Sequence, residues 1–183
     1  MKILTLAAGD GTRFLNSGYN ELKPLIIVKG KRIIKHTTDS LPFVDKSKDL
    51  YFAIRSNHDK SFHVKYKIRN AYSNQECHFF EFECLTRGNL ETAFFSVNNF
   101  DDENEELLIL DSDNKYNGAG FEGFLNKIKE KHKEFAIITY FDKIDDSNKW
   151  CFAFINKDRV TKLLEKDAEA TSFSGKPMVG VFY

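Results

Sequence analysis

The stretch Leu4-Thr5-Leu6-Ala7-Ala8-Gly9-Asp10-Gly11-Thr12-Arg13-Phe14 constrains this chain more than any other, and it continues to Lys23-Pro24-Leu25. A continuously apolar run, Ile3 to Leu6, reads as a central strand buried on both faces. It passes directly into small residues, two glycines and an arginine. Glycine permits turns that aim successive backbone N–H groups at one anion, and the charge of Arg13 cannot be titrated away. Taken alone, Gly9-x-Gly11 is a weak signal that an ordinary βα turn would also give. It lacks the Gly-Lys-Ser/Thr ending of a P-loop and the third glycine of the dinucleotide fingerprint, so neither of those phosphate sites is indicated.

Downstream, strand and helix patterns alternate. Asp10 to Leu22 reads as a mobile loop over a ligand, Arg32 to Leu41 as a short helix stopped by Pro42, and Leu50 to Ile54 as a strand. Lys60 to Tyr72 reads as one helix with Phe62, Tyr66 and Ile68 inward. Cys77 to Leu85 alternates as a strand with His78, Phe80, Phe82 and Cys84 on one face. Gly88 to Val97 carries Leu90, Ala93, Phe94 and Val97 at helical spacing, and Asp101 to Glu106 is a solvated charge run. Leu107 to Leu110 is a strand ending at Asp111-Ser112-Asp113-Asn114. A helix over Phe121 to Ile128, a strand over Phe135 to Tyr140, a paired set at Cys151 to Ile155 and Val160 to Leu164, and a last strand from Met178 complete the pattern. The expected fold class is α/β: a three-layer Rossmann-like sandwich with a mostly parallel, mixed central sheet and a more β-rich C-terminal part, in one domain over residues 1–183.

Composition narrows the partners. Twenty-seven basic and 27 acidic residues cancel, which argues against nucleic acid or an anionic membrane as a bulk electrostatic partner and leaves specificity to a local site. No apolar run approaches the roughly 20 residues of a membrane span, and no signal-peptide pattern follows Met1, so a cytoplasmic protein is expected. Cys77, Cys84 and Cys151 form no Cys-x-x-Cys pair and read as three core thiols in a reducing compartment. The five histidines sit apart at no metal-ligand spacing, and the 18 phenylalanines fall mainly at core positions rather than on a base-stacking platform.

In an open α/β sheet, ligands lie beyond the carboxyl ends of the strands. Gly9 to Arg13, Thr86 to Gly88 and Asp111 to Asn114 all follow expected strands at that edge, so three distant segments converge on one cleft. A single Asp at a strand end is more simply a helix cap. Two in Asp111-x-Asp113 beside a phosphate loop favour a divalent cation, and carboxylate oxygens suit Mg²⁺.

LAAGDGTRF, followed by Gly18-Tyr19, Lys23-Pro24-Leu25-Ile26 and Val28-Lys29-Gly30-Lys31, resembles the opening of the sugar-phosphate nucleotidyltransferases, especially small ones of bacterial surface-polysaccharide pathways. Thr86-Arg87-Gly88, Thr92-Ala93, Asp111-Ser112-Asp113-Asn114, Glu165-Lys166 and Val179-Gly180-Val181-Phe182-Tyr183 extend the resemblance in family order. Leu22 departs from it, because many relatives have proline before the lysine. The resemblance implies a GT-A-like nucleotidyltransferase fold and transfer of a nucleoside monophosphate from an NTP to a sugar phosphate, or a similar small phosphate, with release of pyrophosphate. It implies Arg13 on the leaving β- and γ-phosphates, Lys23 on phosphate at the reacting centre, and Asp113, with Asp111, on Mg²⁺. Leu6, Ala7, Ala8, Gly9, Gly11, Thr12 and Gly88 would face the nucleotide; Glu165, Lys166 and Trp150 would face the acceptor. Relatives run on past the last strand and supply a second metal-binding Asp from a later one, so the stop at Tyr183 is expected to leave the site short of a carboxylate.

Glu83 stands where many thymidylyl- and uridylyltransferases of this type have glutamine. An ionised glutamate only accepts, so it suits an amino group such as cytosine N4 and favours CTP over UTP and dTTP, guanine's N2 amino group being the next partner. The same residue would read as a solvated strand-face glutamate. Two rival functions remain open. A GT-A glycosyltransferase would use Asp111-Ser112-Asp113 on a nucleotide-sugar, though it needs no triphosphate grip; a non-catalytic nucleotide-binding domain would bind NTP and release no pyrophosphate. Neither the acceptor nor the oligomeric state is written in these residues.

Overall fold

A computed structural model describes residues 1–41, 43–101, 105–141, 151–157, 159–165 and 175–182, which divide into two compact units, Met1–Phe135 and Ala136–Phe182. In the first unit the elements run β1 (Lys2–Leu6), α1 (Thr12–Asn16), a 3₁₀ turn (Lys23–Leu25), β2 (Ile27–Val28), β3 (Lys31–Arg32), α2 (Ile33–Asp39), a second 3₁₀ turn (Val44–Lys46), β4 (Asp49–Arg55), α3 (Ser56–Phe62), α4 (Val64–Ala71), β5 (Glu76–Phe82), α5 (Asn89–Val97), β6 (Leu107–Asp111) and α6 (Gly118–Lys131). The second unit carries β7 (Ile138–Tyr140), β8 (Cys151–Asn156), β9 (Arg159–Glu165) and β10 (Lys176–Phe182).

The first unit is built on four parallel strands in the order β5-β4-β1-β6, with Leu6 paired to Ala53 on one side and to Asp111 on the other. Parallel pairing needs crossover connections, and the helices that supply them cover both faces of the sheet. On one face Leu4, Leu6 and Ala53 pack against Ala93 of α5, with Tyr51, Phe80, Phe82 and Val97 around them. On the other, Leu50, Phe52 and Ile54 are fully buried together with Ile34 and Ile68. There the Tyr72 hydroxyl donates to the Ile34 carbonyl at 3.0 Å and meets the Thr38 hydroxyl at 3.0 Å. Desolvation by burial pushes the Tyr72 phenol far above its ordinary range. The expected α/β architecture with a parallel sheet between helices is observed. In the second unit β8 and β9 form an antiparallel pair, as the sequence pattern of that segment indicates, and β10 pairs antiparallel with β7 and β8.

Several local expectations are corrected. The helix expected over Lys60 to Tyr72 starts earlier and is two helices, α3 and α4, broken at His63, whose left-handed backbone (φ 53°) no helix can continue through. After that break Val64 and Ile68 turn inward while Tyr66, expected inside, is 67% exposed. Strand β5 ends at Phe82, so Glu83, Cys84 and Leu85 leave the sheet, and Cys84 is exposed rather than a core thiol. On α5 the buried face is Thr92, Ala93 and Ser96, and Leu90 and Phe94 face outward. Phe95 and Phe124 are exposed as well, so phenylalanine is less confined to the core than expected. Of the charge run, Glu105 is not merely solvated, since it pairs with the Met1 amine at 2.9 Å and with Lys2 at 3.5 Å. The segment expected to be a bare loop, Asp10 to Leu22, contains α1, and an edge contact between the Phe14 and Tyr19 rings at 5.3 Å closes it on itself. The hairpin of β2 and β3 went unread in the sequence; Lys29 (φ 49°) and Gly30 (φ 82°) take the two positive-φ positions its two-residue turn demands.

Candidate active site

Strand β1 runs out at Leu6, and the Ala7 N–H donates to the Ala53 carbonyl at 2.8 Å, the last tie before the chain leaves the sheet. Ala8 is buried, and Gly9, Asp10, Thr12 and Arg13 are exposed at the carboxyl edge. Gly11 has φ 71°, and a Cβ there would stand 3.0 Å from Leu22 Cδ2. Glycine is required at this position on both counts: the backbone is left-handed and the neighbour is already in contact. Leu22 itself is buried with φ −65° and ψ 143°, an extended geometry that proline also takes. The backbone at this position is therefore one that either residue accepts.

The 3₁₀ turn that follows presents Lys23. Its ammonium lies 5.4 Å from the centre of the Phe14 ring and forms an ion pair with Asp113, which comes from the loop after β6. Two segments ninety positions apart in sequence thus meet at the carboxyl edge. The turn is anchored from outside the site: Glu21 holds Lys67 of α4 at 2.5 Å, and an Arg32 guanidinium N–H donates to the Leu25 carbonyl at 2.6 Å.

Asp111, the last residue of β6, behaves differently from Asp113. Its Oδ1 accepts from the Asn89 amide at 2.7 Å and its Oδ2 from the Asn114 amide at 3.0 Å. Asp111 therefore ties the first turn of α5 to the loop that carries Asp113. Nearby, burial first and then the Asp111 charge push the Tyr116 phenol far above its ordinary range. The turn before α5 is fixed as well: Glu91 accepts from the Arg87 backbone N–H at 2.7 Å and from Arg87 Nε at 2.8 Å, which lowers its carboxyl pKa, while the Thr86 and Thr92 hydroxyls meet at 2.6 Å. Gly88 heads the helix with its backbone extended, and Glu83 is exposed just beyond β5.

The structure thus brings Leu6, Ala7, Ala8, Gly9, Gly11, Thr12, Arg13, Lys23, Gly88, Glu83, Asp111 and Asp113 to one edge of one sheet. Glu165 ends β9 in the other unit; Lys166 and Trp150 lie outside the described residues. Sequence reasoning missed Asn89, and it missed Arg55, Ser56 and His58 at the carboxyl end of β4. The available signal was a cation and a histidine immediately after an apolar strand, the same register that singled out Asp111. Burial first, then the Arg55 charge, lowers the His58 pKa below its ordinary value, and Asp10 opposes the shift.

One further polar group lies elsewhere. Asp49, Glu76 and His78 place ligand-capable atoms within 4.8 Å of one another. Asp49 and Glu76 are the first residues of β4 and β5, so this trio belongs to the opposite edge of the sheet from Asp113. Among the described residues no helix is long and apolar enough to cross a membrane.

Solved structures share this fold. A nucleoside-diphosphate-sugar pyrophosphorylase from Vibrio cholerae RC9 superposes with a TM-score of 0.73 at 18% identity, over 100% of this chain and 72% of that one. The inositol-1-phosphate CTP transferase from T. maritima gives a TM-score of 0.71 at 16% identity, over 99% of this chain and 69% of that one. A UDP-glucose pyrophosphorylase complexed with UDP-glucose gives 0.71 at 15%, over 99% and 74%. No curated protein sequence matches this one. A family model described as nucleotidyl transferase matches residues 2–182. The strand-to-glycine-loop opening, the Lys23–Asp113 pairing at the sheet edge and this match over nearly the whole chain lead to one conclusion: the protein belongs to the nucleotidyl transferase family.

Proposed function

We propose that this chain transfers a nucleoside monophosphate from an NTP to a sugar phosphate or a similar small phosphate, releasing pyrophosphate, as a cytoplasmic step in making surface-polysaccharide precursors. The observation that carries the reading is the meeting of Lys23 and Asp113 beside the Gly9–Arg13 loop. A cation and a carboxylate in one place, next to the exposed Gly9, Asp10, Thr12 and Arg13, suit a reacting phosphate and its metal; they do not resemble a sugar-only pocket.

In the reaction, an oxygen of the acceptor phosphate attacks the α-phosphorus. The bond from that phosphorus to the bridging oxygen of the β-phosphate breaks, and pyrophosphate leaves with the electron pair. Such transfer asks the protein for alignment and charge neutralisation rather than covalent chemistry. Arg13, exposed on α1, meets the leaving pyrophosphate. Lys23 exchanges Asp113 for phosphate oxygens at the reacting centre. The family's divalent cation has a fitting donor in the Asp113 carboxylate, since Mg²⁺ binds through one or two carboxylates plus phosphate oxygens and water; when bound it neutralises charge on the triphosphate. Asp111 is the other carboxylate of this set, and its two oxygens already hold Asn89 and Asn114. Glu83 accepts from the amino group of the base, which favours CTP, while Glu165, Lys166 and Trp150 belong to the acceptor side of the same reading.

The test is a pyrophosphate-release screen of CTP, GTP, UTP, dTTP and ATP against a panel of sugar phosphates and other small phosphates, with Mg²⁺. Acceptor-dependent release from at least one pair is expected. Nucleotide binding with no release for any acceptor would replace this reading with a non-catalytic domain, and turnover of a nucleotide-sugar without pyrophosphate would make it a glycosyltransferase.

A further inference from the structure

Arg55 closes β4 at the carboxyl edge, and its Nε and Nη1 atoms are shut off from solvent with no hydrogen-bond partner. The hydroxyl of Ser56, a residue only 4% exposed, is unpartnered beside it. A guanidinium cannot discharge itself and has only donors to offer. Arg55 is partly exposed as a residue, but shutting two of its nitrogens off from water without an acceptor is expensive, and folded proteins rarely leave such groups unsatisfied. Among the described residues it forms no ion pair, although Glu83 follows β5 directly and Asp10 lies in the loop after β1. Such a group waits for an acceptor that the described residues do not provide.

Its place says which acceptor. Ala53 packs on the α5 side of the sheet with Leu4, Leu6 and Ala93, and Arg55, two residues on, shares that side. Arg55 is paired with Phe82, so Glu83 is the next residue along the adjacent strand end. Asp113, with Lys23 paired to it, lies two strands away, since the order is β5-β4-β1-β6 and Asp113 follows β6. At about 4.8 Å per strand the separation is about 10 Å, the reach of a nucleotide from its α-phosphate to its base. Lys23 and Asp113 therefore mark the phosphate end, and Arg55 with Glu83 marks the base end.

Resting on the nucleotidyl-transfer reading, we propose that Arg55 reads the base, acting with Glu83 as a donor–acceptor pair that selects cytosine or guanine. A guanidinium donates through two parallel N–H groups and needs two neighbouring acceptors. Guanine presents O6 beside N7, and cytosine presents O2 beside N3; each also carries an amino group for the Glu83 carboxylate. Uracil and thymine separate their two carbonyls by a ring N–H and have no amino group. Adenine has an amino group but sets it between its ring acceptors, so no two acceptors adjoin.

The experiment measures binding of CTP, GTP, UTP, dTTP and ATP by titration calorimetry, with Mg²⁺ and no acceptor, to the wild type and to Arg55→Met. Thermal unfolding of both unliganded proteins accompanies it. The wild type is expected to bind CTP or GTP about tenfold or more tighter than the other three. Arg55→Met is expected to erase that margin, leave the weak nucleotides within about threefold, and unfold at the same or a higher temperature, because it removes two buried donor nitrogens that lack partners. A variant that keeps the wild-type preference overturns the inference. So does equal loss for all five nucleotides, which would mean a phosphate contact, or a lowered unfolding temperature, which would mean a structural role. If the wild type binds CTP or GTP no better than the others, Arg55 does not read the base. If it binds none of the five, the nucleotidyl-transfer reading itself falls.

Discussion

Replacing Asp113 by Asn removes one charge and almost no volume, and its consequences for folding and for turnover should separate. The Lys23 and Asp113 side chains are 33% and 26% exposed. Solvent screens a pair so placed, and it contributes on the order of 0–1 kcal/mol to stability. For a chain of 183 residues that corresponds to a fall in Tm of at most about 2–4 °C. Turnover has more at stake, because in the reaction Asp113 would face the metal and Lys23 the transferring phosphoryl group. Losing one preorganised charge at such a centre costs about a hundredfold or more, close to 3 kcal/mol. Asp113→Asn, Lys23→Ala and the double variant would be compared by pyrophosphate release under saturating substrates and by urea unfolding without ligand. Each single variant should lose about a hundredfold in turnover with near-wild-type stability. The double variant should lose much less than the product of the two, since both residues serve one centre. Turnover within about threefold of wild type, or activity lost only in proportion to folded protein, would refute the argument.

Three further outcomes follow from single contacts. Gly11→Ala forces a Cβ into a left-handed backbone and against Leu22, at an expected cost of about 1–3 kcal/mol in urea unfolding; the Leu22→Ala background should recover only the contact, and full tolerance would show that the loop does not hold this geometry. Tyr72→Phe removes a buried hydroxyl from Ile34 and Thr38 and should cost about 1–2 kcal/mol while leaving turnover unchanged, so a neutral stability result would contradict the hydrogen bonds. His58 faces Arg55, Asp10 and the edge of Phe62, and its folded pKa lies below its ordinary value. Between the folded and unfolded pKa values the unfolded chain binds more protons, so stability should rise with pH through that window and fall as pH drops below about 6.5; His58→Phe should flatten this dependence, and an unchanged profile would assign it to other groups.

Sequence alone determined what local chemistry controls. The apolar run of β1 ending in Ala7-Ala8-Gly9-Asp10-Gly11 specified a buried strand opening into a backbone-lined turn. The alternation through His78, Phe80 and Phe82 specified the face that packs on α5, and Asp111 and Asp113 were placed at a strand end by the hydrophobic residues before them. Tertiary structure decided whatever depends on distant partners. The helix break at His63 has no glycine or proline to announce it; burying Val64 and Ile68 reorients the chain there and leaves Tyr66 in solvent. Asp111 and Asp113 look equivalent in sequence, and only the Asn89 amide, 22 residues from Asp111, makes one a clamp while Lys23 pairs with the other. Arg55 is the clearest case: a lone arginine at a strand end is unremarkable until packing shuts two of its nitrogens off from water with no acceptor among the described residues. Helix and strand patterns arise from contacts a few residues apart and can be read along the chain, whereas an unsatisfied buried donor is a property of everything that packs around it.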